Sequence, residues 1–315
     1  MPPLPFFTVD AFTRSPFSGN PAAVIVLPSS SDPTLDQPTS STSSPPLEVD
    51  DALCLKLAAE FNLSETAFAR PLEGGTEEEP KFELRWFTPT EEIPLCGHAT
   101  LATAHIIFTH HHPRAQSISF QSRTRGTLIA RRNAEDGSIS LDFPSSSLVT
   151  LSEGHKRRGK VLEKVRKVVR EEDVRRIDWA DEIDGVVVEI SGEIDLKGLE
   201  VDPALLSGIG SMVIFTQPAP RDSGFDIFSR VFAPDIGVPE DPATGAAHTA
   251  LAPFWLSSPS LSRLPHSSTI KSTSTIRAKQ VSKREGEMEI RYDKGLKRVE
   301  LRGWARGMMS GVIEL

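Results

Sequence analysis

The chain has 315 residues, of which 38% are hydrophobic and 25% are charged, with a formal net charge of −8 at pH 7. This composition supports packed cores, and the length favours two domains over one. The charge argues against a nucleic-acid partner, because phosphate binding requires clustered Lys and Arg. No apolar run approaches the ~18 residues of a membrane span and the start of the chain lacks a signal-peptide pattern, so we expect a cytoplasmic protein without a membrane partner.

The chain begins with two predicted strands joined by a turn. The apolar patterns place these strands over residues 6–12 and 22–27, with Gly19-Asn20-Pro21 as the turn. Residues 28–46 follow and are rich in Ser, Thr and Pro, so they predict a loop or a disordered insertion.

A capped helix is predicted next. Asp50 is a favourable cap, and Leu53, Leu57 and Phe61 repeat at helical spacing before an end near Asn62. A second helix, almost wholly apolar, is predicted over residues 97–108. The strands around these helices are predicted over residues 64–69, 81–87, 117–120, 126–131 and 138–143.

The second half of the chain predicts a similar mixture. A charged helix is expected over residues 160–170, within a basic stretch that acidic residues interrupt, and a second buried helix over 242–256. Residues 257–275 are Ser/Thr-rich and predict an exposed insertion. The remaining strands are predicted over residues 185–190, 212–217, 287–292, 298–305 and 311–315, and residues 225–234 lead into a second loop.

Two segments of the chain, residues 87–102 and 232–252, resemble each other. The residues that share their spacing are Phe87, Pro89 and Pro94 in the first segment and Phe232, Pro234 and Pro239 in the second. A glycine and a helix of small and apolar residues follow in both. The repeat predicts two homologous lobes, each a curved, mostly antiparallel sheet or barrel around one buried helix, and thus an α+β fold.

Each of these two helices begins at a glycine, Gly97 in the first segment and Gly245 in the second. Helix N-termini expose unpaired N–H groups and carry partial positive charge. Two such ends facing one another would bind a small carboxylate. Alternatively, the glycines only permit a tight entry into each helix.

Four stretches of sequence carry a more specific signal. They read VDAFT…PFSGNPAAVIV, LAAEFNLSETAF, RWFTP…CGHATLATAH and DIFSRVFAP…EDPATGAA. In this combination and order, the chain resembles the phenazine-biosynthesis isomerase (PhzF-like) family of the diaminopimelate epimerase-like fold group. The resemblance implies two pseudo-symmetric lobes with an active site between them, no metal, no organic cofactor, a small-molecule substrate and a homodimer. We place the lobes at residues 1–130, with the last strand (about 306–315) a candidate to return to that lobe, and at 131–305.

The resemblance also implies roles for individual residues. The Glu of the family's S-E-T motif, which shuttles a proton, falls on Glu65. The His of the G-H motif and the Asp of E-D-P-A-T-G, which contact the substrate, fall on His98 and Asp241. The full set expected to bind substrate is His98, Asp241, Gly97, Gly245, Ala246 and Thr244.

The sequence departs from the family pattern in two places. Ala246 stands where the family usually has Ser, and the carboxy-terminal Q-G…G-R signature is reduced to Gln280-Val281…Arg284. These departures argue against the family's best-known substrate, a dihydro-hydroxyanthranilate. They also leave open a member that binds metabolites or a protein partner without catalysis.

The chemistry expected of Glu65 and His98 depends on their surroundings. Burial of Glu65 near a bound carboxylate predicts a raised pKa, which suits a group that takes a proton from one carbon and returns it to another. The positive helix end predicts a lowered pKa for His98, and hence a neutral imidazole. The structural alternatives are a salt-bridged carboxylate and a core histidine bonded to backbone.

Cys96 offers a different chemistry. A thiol just before a helix N-terminus can be acidified to a thiolate. The fold group's epimerases use one thiol from each lobe, whereas the corresponding loop of this chain carries Thr244, which argues against a two-thiol racemase. A racemase, epimerase or dehydratase using Cys96 is the alternative enzyme, and a buried inert thiol is the structural one.

Two further charged residues have structural interpretations. Asp241 can cap the second buried helix, a role compatible with substrate binding. Arg230 is expected to pair with an acidic group of its own lobe.

Overall fold

The computed structural model describes residues 3–28, 49–257, 259–265 and 275–315. They form the α+β, sheet-dominated fold that the sequence predicts. The predicted insertion over residues 28–46 lies, apart from Pro28, outside the described residues. No helix in the described part of the chain is long and apolar enough to span a membrane.

Strands outnumber α-helices along the whole chain. The helices are α1 (Asp51–Phe61), α2 (Gly97–Ile106), α3 (Arg158–Val165) and α4 (Gly245–Trp255). The strands are β1 (Leu4–Ala11), β2 (Asn20–Val26), β3 (Glu65–Pro71), β4 (Lys81–Phe87), β5 (Glu92–Ile93), β6 (Ser117–Ser122), β7 (Gly126–Arg132), β8 (Ile139–Pro144), β9 (Leu148–Thr150), β10 (Val174–Ala180), β11 (Gly185–Ile190), β12 (Met212–Pro218), β13 (Ile227–Ala233), β14 (Val238–Asp241), β15 (Thr275–Gln280), β16 (Gly286–Asp293), β17 (Arg298–Gly303) and β18 (Ala305–Ile313).

The chain divides into two compact units. The first comprises Met1–Pro16, Pro21–Leu141 and Trp304–Leu315, and the second comprises Phe17–Asn20 and Asp142–Gly303. The last strand, β18, pairs antiparallel with β1, so both ends of the chain belong to the first unit. The predicted lobe boundary at residue 130 falls inside β7, before this division.

The two units contain the same series of strand pairings. In the first, β2 is parallel to β3, β3 antiparallel to β4, β4 parallel to β6, and β6 antiparallel to β7. In the second, β11, β12, β13, β15 and β16 repeat these senses in the same order. Short strands β5 and β14 add antiparallel pairs to β4 and β13. The sequence repeat therefore corresponds to a repeated topology.

Each unit holds one of the two predicted buried helices. All positions of α2 except Gly97 and His105 are buried, and all positions of α4 except Ala246 are buried. A helix that is apolar on every side gains stability only when every side is covered. Both helices follow a short strand, β5 or β14, so their amino ends start at equivalent points of the repeat.

The amphipathic helix α1 packs on the first unit as its pattern predicts. The Asp50 side chain accepts the Leu53 N–H at 2.8 Å, and Asn62 ends the helix in the left-handed conformation, with φ 51°. Leu57 and Ala58 pack with Phe68 and Phe87 in one apolar cluster. The chain continues from the end of this helix to the start of β3.

Several predicted boundaries are wrong. The helix expected over 97–108 is α-helical only to Ile106 and continues as a π-helix over Ile107–His111, while α3 ends at Val165 rather than near residue 170. Strands expected over 298–305 and 311–315 are instead β17 and β18. Strand β10 was not predicted, because its apolar residues are interrupted by Arg175, Arg176 and Asp178.

The described part of the second predicted insertion, residues 257–275, is not an exposed loop. Ser260 and Leu264 are buried, and the Arg263 guanidinium pairs with the fully buried Glu189 carboxylate at 2.5 Å. Polar composition predicted exposure, but a buried carboxylate requires a charged partner, and this segment supplies one.

Candidate active site

Glu65 lies at the first position of β3, opposite Ala22 of the parallel strand β2. The left-handed turn at Asn62 ends α1 just before this point, and Ser64 follows it. The Glu65 side chain is 14% exposed. The side chain is therefore mostly buried.

The His98 imidazole lies beside this carboxylate. His98 is in the first turn of α2 and is 5% exposed, and its Nε2 is 3.1 Å from Oε2 of Glu65. Ser64 Oγ is 3.4 Å from the same nitrogen, and Cys96 Sγ is 3.4 Å from Nδ1 on the opposite edge of the ring. Carboxylate, imidazole and thiol therefore form a row within the first unit.

The predicted pKa shifts of this pair are both wrong. Burial raises the pKa of Glu65, but the charge of His98 and hydrogen bonding from His98, Ser64 and Cys96 lower it below its usual value. For His98, burial lowers the pKa, but the Cys96 sulfur and the Glu65 carboxylate raise it well above its usual value. The nearby opposite charge outweighs both the burial of Glu65 and the helix end at His98, so we assign a carboxylate and an imidazolium.

Of the two alternatives for Cys96, the structure favours the buried thiol over the thiolate. Burial and the Glu65 charge raise the pKa of Cys96, which stays a thiol, so Glu65 is the charge that stabilises the His98 imidazolium. Burial likewise raises the pKa of Cys54 to about 12. Both cysteines are buried and free, as expected for reduced thiols.

Asp241 lies in the second unit, at the end of β14. Its Oδ1 accepts a hydrogen bond from Asn20 Nδ2 at 2.8 Å, and its Oδ2 accepts one from the Thr244 hydroxyl. The prediction that Asp241 caps the second buried helix is wrong, because the cap position of α4 is Thr244. Asp241 instead anchors the loop that enters this helix.

Asn20 and Gln280 organise this loop, although neither was predicted to belong to the site. Asn20 also donates to the Ala243 carbonyl at 3.1 Å. The Gln280 amide donates to the Asp241 carbonyl at 2.5 Å and accepts the Thr244 N–H at 2.8 Å. Both side chains are fully buried. The available signals were the Gly19-Asn20-Pro21 turn and the altered Q-G…G-R signature.

The predicted anion-binding N–H groups differ in availability. The Thr244 N–H is occupied by Gln280, which leaves the first-turn N–H groups of α4, beginning at Gly245 and Ala246, as the candidates in the second unit. In the first unit the corresponding groups begin at Gly97 and His98. Cys96 and Thr244 both occupy helix N-cap positions with extended backbone, so they are equivalent in the repeat.

The repeat also places the same ion pair beside each of these helices. Arg85 on β4 binds both oxygens of Glu92 on β5 at 2.8 Å. Arg230 on β13 binds both oxygens of Glu240 on β14 at 2.7 and 2.9 Å, which confirms its predicted acidic partner. Each arginine fixes the short strand that precedes a buried helix.

Comparison with known proteins decides the family. A family model described as phenazine biosynthesis-like protein (PhzC-PhzF) matches residues 9–311 of the chain. The chain belongs to this PhzF family. The resemblance seen in the sequence motifs is thereby confirmed.

Relatives in the PhzF family match the chain over nearly its whole length. The phenazine biosynthesis-like domain-containing protein 1 of Mus musculus is 34% identical, covering 98% of this chain and 99% of the relative. An uncharacterized isomerase of Pseudomonas aeruginosa is 35% identical, covering 99% of both. The crystal structure of a PhzF family protein from Enterococcus faecalis is 29% identical with a TM-score of 0.75, covering 99% of this chain and 100% of that one.

Of the residues predicted for the PhzF site, the structure brings some together within each unit. Glu65 and His98 are in contact in the first unit, together with Cys96. Asp241 and Thr244 are in contact in the second. Ala246 has no hydroxyl, so at this position the chain offers only backbone groups.

Proposed function

We propose that this protein is an isomerase that moves a proton on a small carboxylated metabolite through Glu65. One observation carries the proposal: in a chain of the PhzF family, the Glu65 carboxylate is mostly buried and lies 3.1 Å from the His98 imidazole. Two features support it further. Relatives are named isomerases, and Glu65 adjoins the amino end of a buried helix, where negative charge is favourable.

The proposed reaction needs only these side chains. The His98 imidazolium keeps Glu65 ionised, so the carboxylate is ready to accept a proton from a substrate carbon. The electron pair of the broken C–H bond moves into the conjugated system, and the Glu65 carboxyl group then gives its proton to a second carbon. The substrate gains and loses one proton, so the product is an isomer and Glu65 is regenerated.

The substrate would be bound by groups whose charge complements a carboxylate. First-turn N–H groups of α2, which begins beside Glu65, would stabilise the negative charge of the substrate. Asp241, which the family resemblance predicts to contact the substrate, is held in place by Asn20 and Thr244. Because Ala246 lacks the usual Ser hydroxyl, we expect a substrate that differs from the family's best-known one at the group facing this position.

The proposal is tested by proton exchange with solvent. A panel of small cyclic unsaturated carboxylic acids, including a dihydro-hydroxyanthranilate, would be incubated with the enzyme in D₂O and followed by NMR. Deuterium should enter at least one panel member. Glu65→Gln keeps the shape of the side chain but removes the base, and it should slow incorporation by at least about 100-fold.

Glu60→Gln is the matched control, because it makes the same substitution at an exposed residue of α1. It should exchange at the wild-type rate. If Glu65→Gln exchanged as fast as Glu60→Gln, Glu65 would not be the proton carrier. Panel compounds that bind, as shown by a thermal shift, but never exchange would favour the non-catalytic alternative.

A further inference from the structure

The row of Glu65, Cys96 and His98 brings together the three types of side chain that bind zinc most often. Each residue offers one donor atom, and the three atoms lie within 4.8 Å of one another. Cys96 and His98 are buried, and Glu65 is mostly buried. The donors lie on two elements, the start of β3 and the amino end of α2, so their proximity is a product of the fold.

The donor set selects one chemical class of ion. Thiolate and imidazole favour zinc and related thiophilic divalent cations, whereas calcium and magnesium require oxygen ligands. Three protein donors with a fourth, open position is the arrangement of accessible zinc sites. A hard cation would find only one oxygen-donor residue in this group.

The donor atoms would have to move a short distance toward one another to hold an ion. With Zn–N and Zn–O near 2.0–2.1 Å and Zn–S near 2.3 Å, tetrahedral donors lie roughly 3.3–3.6 Å apart. In this protein the carboxylate–imidazole distance is 3.1 Å and the thiol–imidazole distance is 3.4 Å, each to a different ring nitrogen. To bind one ion, the imidazole must turn so that a single nitrogen faces both neighbours, and one donor atom from each residue already lies within 4.8 Å of the other two.

A second observation also points to a ligand. Oε2 of Glu65 is buried, and the His98 Nε2 lies 3.1 Å from it. A buried carboxylate oxygen has more than one lone pair to satisfy, and His98 occupies only one side of it. A bound cation would complete its coordination.

We propose that Glu65, Cys96 and His98 form a zinc-binding site and that a bound zinc ion inhibits the protein. On binding, the Cys96 thiol and the His98 imidazolium each lose one proton to solvent, so that the thiolate and one imidazole nitrogen can ligate the ion, and Glu65 gives one carboxylate oxygen. Water takes the open position. The ion is an inhibitor rather than a cofactor, because it occupies the carboxylate that would otherwise accept the substrate proton. The inhibition, but not the binding, rests on the proposed function of Glu65.

The binding half is tested with Co²⁺, which replaces zinc and reports its ligands by absorption. The purified full-length chain should bind one Co²⁺ and show a near-ultraviolet sulfur-to-cobalt charge-transfer band, and Zn²⁺ should displace the cobalt. Cys96→Ala should lose the band and bind Co²⁺ at least about tenfold more weakly. Even substitutions of residues that only support the ligands of a metal site lower its metal affinity by about 10- to 100-fold. Cys54→Ala is the matched control, since it removes the other buried free thiol, and it should behave as the wild type.

Folding of each variant is checked by thermal unfolding, and Cys96→Ser provides a second, more conservative test of the thiolate. Absence of the band in the wild type, or its persistence in both Cys96 variants, would overturn the site. Loss of the band in Cys54→Ala with retention in Cys96→Ala would assign the metal elsewhere and overturn it as well.

The inhibition half uses the solvent-exchange reaction on a panel compound that the wild type exchanges. Zn²⁺ should abolish exchange by the wild type and by Cys54→Ala, and a chelator should restore it. If the cobalt band appears and zinc leaves exchange unchanged, the inhibitory role is wrong while the site stands. If no panel compound exchanges, the proposed function fails on its own, and the cobalt spectra still decide the metal site.

Discussion

At the scale of single residues, the candidate site depends on the interaction between Glu65 and His98. Their side chains are 3.1 Å apart, and each shifts the pKa of the other toward the charged form. The motifs predicted both residues. The direction of both pKa shifts could not be predicted, because each was judged from its own element, whereas the decisive partner is distant in sequence.

The pair predicts a specific dependence of stability on pH. Folding lowers the pKa of Glu65 below its ordinary value of 4.5. The ionised carboxylate therefore stabilises the folded protein above pH 4.5, and this stabilisation is lost as the pH falls through the pKa of the folded state. Folding raises the pKa of His98 above its ordinary value of 6.5. The imidazolium therefore stabilises the folded protein below pH 6.5, and this stabilisation is lost as the pH rises through the pKa of the folded state. His98→Asn should therefore destabilise the protein most between these values, by about 3 kcal/mol, and progressively less at alkaline pH.

Urea unfolding of wild type and His98→Asn across the pH range measures this dependence. His105→Asn is a control in the same helix, because burial lowers the pKa of His105 to about 4. Because the folded protein disfavours protonation of His105, the wild type loses stability through this residue as the pH falls below 6.5. The destabilisation caused by His105→Asn should therefore become smaller at acidic pH and larger at alkaline pH. A destabilisation by His98→Asn that did not change with pH would contradict the assigned ion pair.

Gln280 supports the loop that carries Asp241. The Gln280→Ala substitution leaves the buried Thr244 N–H and Asp241 carbonyl without their partner, so we expect a loss of about 2–3 kcal/mol in the free energy of unfolding. Gln116→Ala is the control, because Gln116 is exposed and should change stability by less than about 0.5 kcal/mol. Equal effects of the two substitutions would show that Gln280 does not hold this loop.

At the scale of elements, the sequence predicted best where pattern and burial agree. Strands β4 and β11 were predicted with their exact bounds, because β4 alternates polar with apolar residues, β11 is mostly apolar, and both end at turns. Strand β10 was missed, because Arg176 and Asp178 look solvent-exposed in sequence. In the structure they pair with each other, and Asp178 is fully buried. Such compensation depends on neighbours that periodicity does not reveal.

The Arg–Glu ion pair occurs once in each unit, so its contribution to stability can be measured at two sites of the same protein. Lysine keeps the charge but cannot bind both carboxylate oxygens, so Arg85→Lys and Arg230→Lys should each cost about 2 kcal/mol in unfolding experiments. The side chains of these arginines are only 9% and 10% exposed. Arg291→Lys alters an exposed pair with Glu300 and should cost less than about 1 kcal/mol. A similar small effect at all three sites would refute a special role for the pairs.

At the scale of the whole molecule, the repeat in sequence corresponds to two units with the same strand pairings. The duplication was predictable because a phenylalanine and two prolines keep their spacing in both segments. The exact division was not, because it depends on the pairing of chain segments far apart in sequence. The homodimer implied by the family remains a prediction, and light scattering of the purified protein would measure it.

The return of the last strand to the first unit predicts an asymmetry between two glycines of β18. Gly311 lies opposite Phe6 of β1, and an added Cβ would lie 2.8 Å from the Phe6 ring, which is itself packed on Phe61. Gly311→Ala should therefore cost about 1–3 kcal/mol. At Gly307 nothing lies within 4 Å of an added Cβ, so Gly307→Ala should be nearly neutral. Thermal unfolding that ranked Gly307→Ala as the more damaging change would contradict this pairing.

The central claim is that Glu65, and not Cys96, carries the proton. The most direct measurement compares solvent-deuterium incorporation by Glu65→Gln and Cys96→Ala, with a panel compound that the wild type exchanges. We predict that Glu65→Gln loses at least about 100-fold in rate and that Cys96→Ala stays within about tenfold of the wild type. Loss of exchange in Cys96→Ala with activity retained in Glu65→Gln would contradict the account and favour thiol chemistry.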